Sequence, residues 1–127
     1  MANNINIRGG RFSNSILVLT TTGKNEIRDA IDSALSQGQM GTDTTAASPA
    51  DTGLGAAVAA TLQSLTTSKT DKQITINYEL NSTTGNGNTL TEYENRTSSG
   101  NLNRVTFAGI AKTSDLEVNV VTTLFIK

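Results

Sequence analysis

Apolar and polar residues alternate most regularly in the second half of the chain. Ile74, Ile76, Tyr78 and Leu80 are separated by Thr75, Asn77 and Glu79, a period of two that puts four apolar side chains on one face of a strand. The same period returns in Leu116, Val118, Val120, Thr122, Leu124 and Ile126. A long half-apolar strand of this kind invites aggregation if its edge is bare, so the pattern places it inside a sheet or at an interface. Between the two lie a more polar strand, Thr89 to Thr97, and another from Leu102 to Phe107, with a turn over Ser98 to Asn101. Asn81 to Asn88 is rich in residues that tolerate positive φ and reads as a hairpin loop.

The first half is less uniform. Ile5 and Ile7 alternate, Gly9-Gly10 marks a bend, and a β-branched run extends from Ser15 to Thr22. After a break at Gly23-Lys24, Ile27, Ala30, Ile31, Ala34 and Leu35 fall at the spacing of one helical stripe. Glu26 and Asp29 sit early in that helix, near its positive dipole end, and Gly38 is placed to close it as a left-handed cap. From Gly38 to Gly55 the chain is a Gly-, Thr-, Ser- and Ala-rich loop with the only proline, Pro49. The following stretch is ambiguous: Leu54, Val58, Leu62 and Leu65 suit a helix, whereas Thr61, Thr66, Thr67 and Thr70-Asp71 suit a strand and a hairpin turn.

These elements predict a mainly β chain, an antiparallel β-sandwich with one N-terminal helix and a long Thr/Ser/Ala-rich loop, folded as a single domain over residues 1–127. Composition then narrows the chemistry. The 127 residues contain no His, no Cys and no Trp, which removes the common zinc and copper ligands and the usual nucleophile–base pairs. Ten basic residues against eleven acidic ones leave no electrostatic footprint for nucleic acid or for an anionic membrane. The longest apolar run, Ile16 to Leu19, falls far short of the ~20 residues of a membrane span. A soluble chain made in the cytoplasm, without a secretory signal, is the expectation.

Each candidate for chemistry has a plainer explanation. Glu26, Asp29 and Asp32 resemble paired carboxylates for acid–base work, but nothing supplies an apolar pocket to raise a pKa, and a solvated helix face accounts for them. Asp43 and Asp51 in the loop suggest a shared calcium, yet the loop lacks the regular ladder of an EF-hand and ordinary capping suffices. Gly85 to Asn88 precedes a strand rather than a helix, which disfavours a phosphate cradle. Tyr78, Tyr93 and Phe107 could form a stacking platform or pack in a core. No catalytic residue, cofactor or metal is assigned.

The order of the pieces says more than any one of them. A helix opening Asn25 to Ile31 is followed by the loop Gly41 to Gly55, an alternating strand, the segment Gly87 to Tyr93, then Leu102 to Thr113 and a terminal strand. This order resembles a family of small tailed-phage and archaeal-virus structural domains found in tail-fibre, collar and related virion proteins. The likeness covers about residues 24 to 127; the family's Gly-Leu-Phe stands here as Tyr93-Glu94-Asn95, and its usual proline as Ala108. The resemblance implies that residues after Val58 are strand, and that Arg104 and Lys112 serve assembly or fix turns. It also implies a non-enzymatic virion subunit, a homo-oligomer that docks on other virion proteins. Residues 1 to 11, with Ile5, Ile7 and Arg8, are the expected docking arm, and the alternative is a frayed terminus or an ordinary strand. A second function is a module binding host-surface glycans through Tyr93, Asn95 and loop Asn residues.

Overall fold

A computed structural model describes the backbone of residues 2–7 and 10–16 and the backbone and side chains of residues 18–127. Strands β1 (Ala2–Ile7) and β2 (Gly10–Ile16) pair antiparallel in a two-stranded sheet. Ile5 and Ile7 lie on β1, whereas Arg8 and the side chains of this arm fall outside the described residues.

Helix α1 spans Thr21–Ala34 and begins earlier than the sequence pattern implies. Thr20 caps it, its hydroxyl accepting the Gly23 N–H at 3.0 Å, so the β-branched run begins in β2 with Ser15 and Ile16 but ends as a cap and a first helical turn. Glu26 and Asp29 are consequently beyond the first turn, which holds no acidic residue. The expected apolar stripe is only half used: Ile31 and Ala34 are partly buried, and Ile27 and Ala30 are exposed. Polar contacts attach the helix instead. The Asn25 side chain bonds Asp71 Oδ1 and the Lys72 N–H, Arg28 Nη1 donates to the Thr70 carbonyl at 2.6 Å, and Lys69 pairs with Asp29 and Asp32.

Gly38 does not end the helix. The chain turns directly into β3 (Leu35–Gly41), with Leu35 extended as the C-cap. A Cβ at position 38 would sit 2.6 Å from the Tyr78 ring and 2.7 Å from the Tyr93 hydroxyl, so glycine is there because two aromatic side chains pack on bare backbone. After the loop come a 3-10 turn (Ala59–Thr61), β4 (Gln63–Ser64) and β5 (Thr66–Thr70), which settles the ambiguous stretch mainly in favour of strand.

The remaining strands are β6 (Gln73–Leu80), β7 (Thr89–Thr97), β8 (Gly100–Ala111) and β9 (Val118–Phe125). They form two antiparallel sheets, ordered β4-β3-β7-β8 and β5-β6-β9, in a mainly β, sandwich-like fold. Asn81 to Asn88 is therefore not a hairpin loop, since it carries the chain from one sheet to the other. Within the two larger sheets, Thr70 to Gln73 and Thr97 to Gly100 are the hairpin turns.

Met40 from β3, Leu90 and Tyr93 from β7, Tyr78 and Leu80 from β6 and Val118 from β9 meet between the sheets as the core. Full burial of such side chains contributes about 1.5–3 kcal/mol each. Tyr78 and Tyr93 meet edge to face, centroids 4.9 Å apart. On β9, Val118, Val120, Thr122 and Leu124 point inward as expected, but Leu116 lies outside the strand and β9 occupies a sheet edge, not an interior position.

Candidate functional site: a charge clamp beneath the long loop

β7 is polar in sequence, yet every residue from Leu90 to Asn95 is buried. A register shift between Leu90 and Glu92 explains how. It turns Leu90 and Tyr93 to the core side and leaves Glu92 and Glu94 on the opposite face, where Glu92 meets the 42–58 loop. Across the Thr97–Gly100 turn, Glu94 stands opposite Arg104 and Glu92 one step along. The hairpin therefore delivers a cation and two carboxylates to one face.

Arg104 organises that face. Its Nε donates to Glu92 Oε2 at 2.8 Å, Nη1 to Asp51 Oδ2 at 3.0 Å, and Nη2 to Asp43 Oδ2 at 3.0 Å and to the Thr45 carbonyl at 2.9 Å. Glu92, wholly buried, also accepts the backbone N–H groups of Ala56 at 2.9 Å, Gly55 at 3.0 Å and Asp43 at 3.3 Å. One carboxylate and one guanidinium thus hold both limbs of the loop. The fit is close: a Cβ on Gly41 would collide with the Glu92 carboxylate and the Ala56 carbonyl.

The electrostatics follow from this geometry. Burial pushes the Glu92 carboxyl upward, but the Ala56 N–H, the Arg104 guanidinium and the N–H groups of Gly55 and Asp43 outweigh it and hold it below the usual range. Asp51 is held low by the Ser48 N–H and then by Arg104, against some desolvation. Arg104 keeps its proton more firmly than a free guanidinium, chiefly through Glu92 and, after the opposing effect of burial, Asp51.

Several sequence expectations change here. Asp43 and Asp51 do converge, but on the Arg104 guanidinium, which takes the cation's place that calcium had in the sequence reading. Among the described residues no group of three or more His, Cys, Asp or Glu side chains is arranged to hold a metal. The Arg104 side chain, expected at an interface or fixing a turn, is 3% exposed and engaged within the chain. Lys112 is likewise buried: its Nζ donates to Asn86 Oδ1 at 2.8 Å and to the Thr113 carbonyl at 3.1 Å, and its backbone pairs with Gly87 and Asn88. Both residues fix loops.

Tyr93 and Asn95, the expected glycan contacts, are both buried, with the Tyr93 hydroxyl donating to Asn95 Oδ1 at 2.5 Å. Asn95 in turn donates to Asn103 Oδ1. Burial pushes the Tyr78 and Tyr93 phenols far above their ordinary pKa, as expected of groups whose ionised form has lost water. Beside the clamp lies an open cleft of ≈ 470 Å³ between Ala47–Pro49 and Asn101–Arg104. The guanidinium donors that border it point inward to the loop, so the arrangement braces a surface and presents no nucleophile–base pair.

Compared with known proteins, the chain matches no family model, no curated protein and no solved structure.

Proposed function

We infer that this chain is a non-enzymatic structural subunit of a virus particle, of the tail, fibre-base, collar or capsid-decoration kind. It is made in the host cytoplasm, assembles as a symmetric homo-oligomer and docks on neighbouring virion proteins, with residues 1 to 11 as the docking arm. The observation that carries the reading is the use made of the motif charges. Glu92, Arg104 and Lys112, the charged positions in the segments 87–93 and 102–113, hold loops against a sandwich. Such bracing favours a surface of fixed shape, which suits packing against a neighbour. Burial of Tyr93 and Asn95 disfavours the glycan-binding alternative, which is left with the loop Asn residues.

Gold-labelled antibody raised against the purified chain tests the assignment on particles purified from the source culture. Labelling at regular positions on assembled particles is expected. Intact particles that carry no label, from cells that make the chain, overturn it.

A further inference from the structure

The two larger sheets end in four edge strands, and three of them carry protection against pairing with another chain. β4 is only two residues long. β5 bears Lys69, which pairs with the helix carboxylates Asp29 and Asp32. β8 is broken by register shifts at two places along its pairing with β7. Short length, an edge lysine and bulges are the recognised devices that blunt a sheet edge. β9 has none of them. It reads Val-Asn-Val-Val-Thr-Thr-Leu-Phe, with no charge, proline or glycine, and pairs with β6 in eight consecutive steps without a shift. Val121 and Phe125 on its outward side are 59% and 57% exposed.

We propose that the free edge of β9 is an interaction surface for β9 of a second copy of this chain, the two strands pairing antiparallel about a two-fold axis at Thr122. The pairing rests on the self-association part of the reading above and names its surface. Self-complementarity selects this occupant. In an antiparallel pair related by a two-fold axis, residues of like parity stand opposite each other and share a face. Centred on Thr122, Val120 faces Leu124 of the second copy and Val118 faces Ile126 on the core side. Val121 faces Thr123 and Asn119 faces Phe125 on the outer side. Just beyond the strand, Glu117 faces Lys127, so each end of the seam carries an opposite-charge pair. The result is one six-stranded sheet, β5-β6-β9 continued through its copy, in which the open backbone groups of both edges are used.

Light scattering and sedimentation of the full chain across a concentration series test the pairing. The wild type is expected to form dimers or higher even-numbered assemblies. Val121→Lys with Thr123→Lys sets lysines opposite each other twice at exposed positions, and is expected to give monomers with unchanged circular dichroism. Glu117→Lys alone should weaken association by about tenfold, and adding Lys127→Glu should restore it. The charge swap lies outside the strand and gives an answer even if the lysine variant fails to fold. A wild-type assembly untouched by both sets of variants overturns the β9 seam and leaves self-association standing. A wild type that stays monomeric to its solubility limit overturns the seam and self-association together, leaving particle labelling to judge the virion assignment separately.

Discussion

Arg104 is the residue on which the candidate site turns, because removing it strands a wholly buried carboxylate. Breaking a buried ion pair from one side typically costs 3–5 kcal/mol, more than the pair contributes against an apolar substitute. Arg104→Met is expected to lower stability by about 3 kcal/mol in urea unfolding. Glu92→Met with Arg104→Met should not recover it, since the N–H groups of Gly55, Ala56 and Asp43 then lose their acceptor. Acid should reveal the same group. Glu92 and Asp51 have pKa values depressed in the folded state, so the unfolded chain takes up their protons first as the pH falls. Their contribution is complete above about pH 5 and is lost as the pH drops below about 4 and through the folded values. Urea midpoints measured from pH 7 to pH 3 should fall for the wild type, and its advantage over Arg104→Met should narrow.

Among the elements, β3 is the one that the sequence hid. Its residues, Leu-Ser-Gln-Gly-Gln-Met-Gly, carry no alternation, and Gly38 imitates a helix stop. The strand exists because tertiary packing outweighs local preference: two tyrosines lie where a side chain would be. Gly38→Ala is accordingly expected to destabilise the fold by about 1–3 kcal/mol through overpacking, read as a lower urea midpoint. β6 was legible throughout, since Ile74, Ile76, Tyr78 and Leu80 are all buried as their spacing requires. β7 was legible as a strand but not as a doubly covered one, because the register shift that redirects its side chains leaves no trace in composition. The clamp left a fainter signal. A turn at Ser98 to Asn101 already sets Glu92 and Glu94 beside Arg104, whereas nothing in the sequence says that Asp43 and Asp51 arrive from the loop. Missing the inter-sheet crossing had a similar cause, for turn residues at Asn81 to Asn88 do not reveal which sheet the next strand joins.

For the molecule as a whole, the two tyrosines are the chain's only ones and both sit in the core. Their raised pKa values mean that folding favours the neutral phenols. That stabilisation is intact below about pH 10 and is withdrawn as the pH climbs toward the folded values. In an alkaline titration, phenolate absorbance is therefore expected to stay flat past pH 10 and then rise together with the loss of circular dichroism. A rise that precedes unfolding would place at least one ring in contact with solvent. With no histidine in the chain, no side chain of ordinary pKa titrates between the acid and alkaline limbs, so stability should be level from about pH 6 to 8.

The anchored loop has a consequence for proteolysis. Small, exposed residues such as Ala46 to Ala50 are what a protease ordinarily cuts. Here the backbone is tied at Thr42, Asp43, Thr45, Asp51, Gly55, Ala56 and Val58, leaving too little slack to enter a protease cleft without first opening the clamp. Elastase, which favours small residues, should thus spare the native chain and nick Arg104→Met within this segment, making the cut a local gauge of whether one guanidinium is in place.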